Sequence, residues 1–568
     1  MAIELSNLMF TDEDDIVPAS GEEQIVNTGI ANTLAGNDII TGTSPNLDSS
    51  DIGIDNYTGV ISTGDGNDTL IGTAIEGQSG YGIVNQTYSN GPGGTINTGA
   101  GKDTIIASGS YYAIYNLNVI DTGADDDEIT VTGTNGIVNQ GIINTSDGRD
   151  IITGNAINGL EPRSSGGIYN SGIYNSSIID TGNDNDTITG IGVISIDNYG
   201  TIDTGNGKDS IFSEGKFINY GEIFLGGGGD SIILETYFDF SEDFWLDNFN
   251  FIDTGEGNDT ITGYGNIYNS GVIKTGEGND DITRPQNFYN NGVIDTGEGD
   301  DYIDSGTLTN YDVINTGNGD DLISGSSINN YGGTINTGNG NDTIYVASGS
   351  FESAESSTIN TGDGNDAIFF DRIFINRSNV FLGEGNDSIN AALYFPDGAL
   401  ENFGFIGTGN GNDIITSAGV IYNEGVIETG NGDDSIIVDG GVDDDITGTT
   451  YGIYNNGGAI NMGNGNDSII ANEGFESAPN SSGAWYLGDG EDYIKGFGSG
   501  DFYGGNGNDT LELTPGTYTV GIWGEAGESP IFTKGDQLMI TSEFEKLKAG
   551  STIYDFASLT AGQIITVA

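Results

Sequence analysis

Asp259 to Asn279 read DTITGYGNIYNSGVIKTGEGN, and the fold follows from this stretch. Three short runs, Asp259-Thr260-Ile261-Thr262, Asn266-Ile267-Tyr268-Asn269 and Val272-Ile273-Lys274-Thr275, alternate with glycine-rich turns. Side chains alternate faces along a strand, so Ile261, Ile267 and Ile273 share one side, and Tyr268 and Lys274 take the other. The following stretches repeat the pattern. Ile267 is followed by Phe288, Leu308 and Ile328, and Ile273 by Ile294, Ile314 and Ile335. Stacked in register, these residues form apolar columns that no one repeat can bury alone, the mark of a repeat architecture. Asn269, Asn290, Asn310 and Asn330 share the inward side and predict an amide ladder, with ligand binding as the alternative reading. Thr275, Thr296, Thr316 and Thr337 predict a second polar column.

Outward from this stretch, one unit recurs: Thr-Gly-x-Gly-Asn-Asp-x-Ile. Its last Asp falls at Asp38, Asp68, Asp103, Asp127, Asp150, Asp186, Asp209, Asp230, Asp259, Asp280, Asp301, Asp321, Asp342, Asp366, Asp387, Asp413, Asp434, Asp467, Asp492 and Asp509. From Asp259 to Asp342 the spacings are 21, 21, 20 and 21 residues, and longer ones read as a coil plus a surface loop. Asp12-Glu13-Asp14-Asp15-Ile16-Val17 reads as a degenerate first copy able to cap the array. The fold expected is all-β: an elongated right-handed parallel β-helix, or β-solenoid, of about 20 coils and about 95 Å at roughly 4.8 Å per coil. The organisation expected is a cap at 1–26, the solenoid at 27–513 and a small β-rich segment at 514–568. Glu543-Phe544-Glu545-Lys546-Leu547-Lys548 is the one short helical candidate.

Of the 568 residues, 97 are Gly, 85 are Asp or Glu and 13 are Lys or Arg, giving a net charge of −72, with neither His nor Cys. A Ser-His-Asp triad, a cysteine nucleophile, a disulfide framework and a Cys/His zinc site are therefore excluded. Nucleic acid is not expected, because phosphate binding needs a basic footprint. No run approaches 18 apolar residues, so no membrane span is expected. The first basic residue is Lys102, so the N-terminus lacks the positive region of a Sec-type signal. A chain this charged folds only when something neutralises it.

The repeated turn supplies the means. Its two glycines admit positive φ and a close backbone approach that aims carbonyl oxygens into the loop. The Asp adds a carboxylate, and the Ile two residues later anchors the following run. Loops stacked at roughly 4.8 Å would place one carboxylate over the next, a repulsion of about 3.5 kcal/mol per pair at an effective dielectric of ~20. Summed along the array this exceeds a domain's ordinary stability of roughly 5–15 kcal/mol. Bare solvated turns are thus the weaker reading. Oxygen donors in this number suit a hard cation, and calcium, with its 6–8 oxygen ligands, is the cofactor expected, at up to about 19 sites.

The motif resembles the RTX, or haemolysin-type, calcium-binding nonapeptide, Gly-Gly-x-Gly-x-Asp-x-(apolar)-x. The match is closest at Gly504-Gly505-Asn506-Gly507-Asn508-Asp509-Thr510-Leu511, and Gly226-Gly227-Gly228-Gly229-Asp230-Ser231-Ile232 is similar. The resemblance, over roughly Asn27 to Leu511, implies calcium held by turn carbonyls and the Asp carboxylate, with the ion driving folding. This chain departs from the nonapeptide in opening most copies Thr-Gly and in repeating about every 21 residues, which implies ions along one edge only. Leu34 and Ser146 replace the first glycine of their turns, and Asp125 and Asp184 the second. Single-row solenoids of this kind also include ice-binding proteins with Thr at the exposed loop position. Here that position holds Glu256, Glu277, Glu298, Asn318, Asn339 and Asp363, a poor template for ice.

From Thr514 the composition changes. The end, Asp555 to Ala568, resembles the tails of bacterial RTX exoproteins, cyanobacterial ones among them, which implies type I secretion machinery as a partner. A small β cap is the alternative reading, and the two are compatible. In the insertion Glu235 to Asp247, aromatics lie beside Asp239, Glu242 and Asp243. A packed surface loop is expected there, with glycan contact or polysaccharide catalysis as alternatives. The function expected is a secreted calcium-binding repeat protein with a structural or adhesive role at or beyond the cell surface, not an enzyme. Extracellular or cell-surface glycans are further candidate partners. A polysaccharide lyase, hydrolase or epimerase is the alternative, and an ice-binding solenoid a weaker one.

Overall fold

The computed structural model describes residues 2–18, 23–44, 51–75, 79–87, 93–157, 171–235, 244–391, 399–443, 450–477, 483–523 and 529–568. The protein is all-β. Among the described residues the only helical turns are short 3-10 segments at Leu5–Asn7 and Phe556–Ser558, and no helix is long and apolar enough to cross a membrane. It divides into two compact units, Met1–Gly297 and Glu298–Ala568.

In the first unit, Thr260–Gly263, Asn266–Asn269 and Val272–Glu277 are strands. Each pairs in parallel with the matching run one repeat earlier, Ile232 against Ile261, Leu246 against Ile267 and Ile252 against Ile273. The pairing continues to Ile282 and Phe288. Three runs that each meet their own copy one repeat away follow a path consistent with solenoid winding. Ile261, Ile267 and Ile273 are buried, whereas Tyr268 and Lys274 are not. At the N-terminus Ile16–Val17 pairs in parallel with Ile39 and Ile40, and the Leu5–Asn7 turn packs against Ile30–Asn32.

The second unit repeats the arrangement, with Ile303 against Ile323, Leu308 against Ile328 and Ile314 against Ile335. It ends differently. Gly516–Trp523, Ser529–Lys534 and Gln537–Ser542 run antiparallel, and Ile564–Val567 pairs antiparallel with Gly516 to Thr519. Glu543 to Lys548 is not a helix. Lys546–Ala549 is a strand, parallel to Thr510–Leu513 and antiparallel to Thr552–Asp555. Leu547 is fully buried against Leu511 with Lys546 and Lys548 on the other face, so period-two burial overrides helix propensity here.

Both polar columns form. Asn198, Asn219, Asn248 and Asn269 each pass a side-chain amide hydrogen to Oδ1 of the next Asn, ending on Asn290, at 2.8–2.9 Å, and Asn402 and Asn423 do the same in the second unit, ending on Asn455. Thr254 and Thr275 donate their hydroxyls to the Thr carbonyl one coil on, as do Thr316 and Thr337. These buried groups are structural. Asn423→Ala should leave Asn455 Oδ1 short of its donor and Asn402 short of its acceptor. A cost of about 1–3 kcal/mol per orphaned group is expected, read as a lower denaturation midpoint.

Candidate metal centre

The turn geometry comes first. Both glycines of the motif take positive φ, for example Gly338 at 106° and Gly340 at 136°. A Cβ on Gly338 would fall 1.7 Å from the Gly317 carbonyl oxygen, and one on Gly340 1.8 Å from that of Gly319. The turn carbonyls therefore point along the stack at the next turn, and only glycine leaves them room. Leu34, Asp125, Ser146 and Asp184 nonetheless adopt the same left-handed conformation, at φ 78°, 83°, 63° and 84°. The turn survives in those copies at the cost of backbone strain. Gly338→Ala should combine a left-handed penalty of roughly 1–2 kcal/mol with about 1–3 kcal/mol of overpacking. Gly332, at φ 89° with nothing within 4 Å of an added Cβ, should incur the first term alone. Thermal melts of the two variants separate the contributions.

The twenty Asp side chains are not solvated loop residues. None is more than 2 % exposed. In the first unit the backbone N–H groups of Asp38, Asp68, Asp103, Asp127, Asp150, Asp186, Asp209, Asp230 and Asp259 each donate to Oδ1 of the next Asp in the series, ending on Asp280, at 2.7–2.8 Å. In the second unit the ladder runs from Asp301 through Asp321, Asp342, Asp366, Asp387, Asp413, Asp434, Asp467 and Asp492 to Asp509, at 2.8–2.9 Å.

One oxygen of each carboxylate is thus spent on the fold. The other, Oδ2, is buried without a hydrogen-bond partner at Asp38, Asp68, Asp103, Asp127, Asp150, Asp186, Asp209, Asp230 and Asp259, and again at Asp321, Asp342, Asp366, Asp387, Asp413, Asp434, Asp467, Asp492 and Asp509. Thr337 lies close enough to Asp342 to favour its charged form, but its one hydroxyl proton goes to the Thr361 carbonyl. Burial dominates. It pushes Asp342 and Asp387 up to about 7, and Asp127 and Asp186 to about 8, with neighbouring column carboxylates adding to the rise. A buried oxygen of this kind demands a proton or a cation.

Two contributors escaped the sequence reading. Where the residue before the column Asp is itself Asn or Asp, it builds an outer ladder of opposite sense: the N–H of Asn341 donates to Asp320 Oδ1, that of Asn365 to Asn341 Oδ1 and that of Asn386 to Asn365 Oδ1. The frequency of Asn or Asp at that position, broken at Lys102, Arg149, Lys208, Gly229 and Glu491, was its signal. Glu545 is the second. Its Oε2 accepts the Asp509 N–H at 2.8 Å and so closes the inner ladder, while Glu543 takes the left-handed turn conformation at φ 61°. Glu545-Lys546-Leu547 echoes the motif's Asp-x-Ile, a cue hidden by the carboxylate's change of length.

Among the described residues no three acidic side chains converge on one point as a metal cluster. The donors are instead one carboxylate per turn, alongside backbone carbonyls. The orphaned Oδ2 atoms and the carbonyls aimed along the stack fit a hard cation held mainly by oxygens of successive turns. Asp239, Glu242 and Asp243 of the 235–247 insertion lie outside the described residues.

These features define a class, an all-β chain of parallel ladders with a buried carboxylate column along its turns. No known family model and no curated protein matches the sequence. Among solved structures, the chain is similar to a hyperactive, Ca2+-dependent, β-helical antifreeze protein from an Antarctic bacterium, at 15% identity, covering 77% of this chain and 91% of that one, with a TM-score of 0.31. An overlap this loose carries no argument about this chain.

Proposed function

We propose that the ladders are the walls of a right-handed calcium-binding β-solenoid with a structural or adhesive role at or beyond the cell surface. The observation that carries the calcium reading is the repeated Asp with Oδ1 bonded into the ladder and Oδ2 buried and orphaned. Asp321, Asp342 and Asp366 would hold ions together with the glycine carbonyls of adjoining turns. Bound calcium supplies the positive charge that lets these carboxylates stay ionised while buried. Asp321 and Asp342 also orient one another, because each N–H donated along the ladder fixes the next carboxylate. Support for export outside the cell comes from the sequence: the RTX-like repeats and the tail from Asp555 to Ala568. Glycan contact rests on the aromatic residues of the 235–247 insertion.

The test is calcium calorimetry on Asp342→Asn. The amide oxygen can still accept the Asp321 N–H, so the ladder is kept while the charge is removed. A loss of about one or two ions per chain is expected, since one carboxylate serves the turns on both sides. Unchanged stoichiometry would remove Asp342 from the site.

A further inference from the structure

We propose that the turn edge carries a row of Asn-Gly steps that are latent deamidation sites, shielded only while the turns are stacked. Asn206-Gly207 lies in the first unit, and Asn318-Gly319, Asn339-Gly340, Asn410-Gly411, Asn431-Gly432 and Asn464-Gly465 in the second. All six occupy the same place, the variable residue and second glycine of the motif, as does a seventh step, Asn506-Gly507, whose side-chain amide donates to Asp489 Oδ1 at 2.7 Å.

Asn-Gly is the step at which an amide is lost most readily, because glycine has no side chain to hinder its own nitrogen. The glycine nitrogen attacks the Asn Cγ, ammonia leaves and a succinimide closes. Water then opens the ring to Asp or to isoaspartate, which carries one extra methylene in the backbone. The reaction needs no partner beyond water.

The fold occupies both reactants. The glycine N–H donates to the next turn's carbonyl, from Gly207 to Gly227 at 2.7 Å, from Gly319 to Asn339 at 2.8 Å and from Gly411 to Asn431 at 2.7 Å. Those of Gly340, Gly432 and Gly465 are held likewise at 2.8–2.9 Å. The Asn side-chain amide is tied to the preceding turn, Asn206 to Asn183 at 2.8 Å, Asn318 to Glu298 and Asn410 to Glu384 at 2.6 Å each, and Asn464 to Asn431 at 2.6 Å. Asn339 and Asn431 are bonded to Asn318 and Asn410 in the same way. Nitrogen and Cγ meet only if both cross-turn bonds open together.

The chemical consequence follows from position. Each event replaces a neutral donor by a carboxylate beside the buried Asp column, or shifts the glycine N–H out of reach of the next turn. A segment that unstacks for long enough is thereby prevented from restacking. If the calcium reading above holds, ion loss is what opens the row, so a reversible change becomes permanent.

The full chain is incubated in warm, mildly alkaline buffer in three states: with calcium, with excess chelator, and in concentrated urea. Peptide mass spectrometry then follows the one-dalton gain and isoaspartate at each step. In calcium the six steps should deamidate at least about tenfold more slowly than in urea, since reaction requires local opening. Equal rates in calcium and in urea would overturn the proposal. The chelator arm tests the calcium reading separately. Rates rising towards those in urea support it, and slow rates in both calcium and chelator sustain the shielding while contradicting calcium control.

Discussion

In excess chelator the chain should lose its strand circular dichroism and expand, and should recover both when calcium is returned. The net charge of −72 already opposes compaction, and the fold adds a specific penalty by taking the twenty column carboxylates out of water. Burial, with like-charge neighbours adding to it, pushes Asp230, Asp342 and Asp467 towards protonation, each raised to about 7. Near neutral pH each must therefore either take up a proton or find a cation. Cations that bind the folded chain alone stabilise it by mass action, and many sites multiply the effect. Magnesium should restore far less structure, because it demands near-octahedral geometry and gives up its water reluctantly, whereas calcium accepts irregular sets of carbonyls and carboxylates. An unchanged strand spectrum in chelator would contradict this.

Acidification should partly replace the ion. The unfolded carboxylates titrate near 3.8, while the metal-free folded column titrates near 6 at Asp103, Asp321 and Asp434, near 7 at Asp387 and near 8 at Asp127 and Asp186. Between those limits the folded state binds more protons than the unfolded one, so stability falls as pH rises. The contribution is fully present below the unfolded value and is lost as pH passes through about 6 to 8. This is the reverse of a protein whose carboxylates sit in salt bridges. Metal-free protein should therefore be most ordered near pH 4 and least ordered near pH 8, and calcium should abolish most of the difference. A pH series of spectra in chelator measures it; greater order at pH 8 than at pH 4 would show that the column is not protonated in the folded chain.

Much of this was legible because a period-two strand and a fixed repeat leave little freedom. Ile261, Ile267 and Ile273 had to face inward together, and Asn269 and Asn290 had to stack, once the spacing was constant. Tertiary detail was harder to read. Helix propensity misplaced Glu543 to Lys548, because the need to cover Leu511 decides the conformation of Leu547 and appears nowhere in local sequence. That Leu34, Asp125, Ser146 and Asp184 keep the left-handed conformation of the glycines they replace is likewise absent from local sequence. The dual use of each Asp was also hidden. Its carboxylate pointed to a cation, but only the structure shows Oδ1 already committed to the neighbouring N–H and Oδ2 left over.

The most direct test is a high-resolution crystal structure grown in calcium, viewed at Asp321, Asp342 and Asp366. The account predicts ion density recurring turn by turn, about 2.3–2.6 Å from each Oδ2, with glycine carbonyls completing the shell. Oδ2 atoms that meet only a proton donor, with no ion along the turn edge, would show that the column is a protonated structural ladder and not a metal centre.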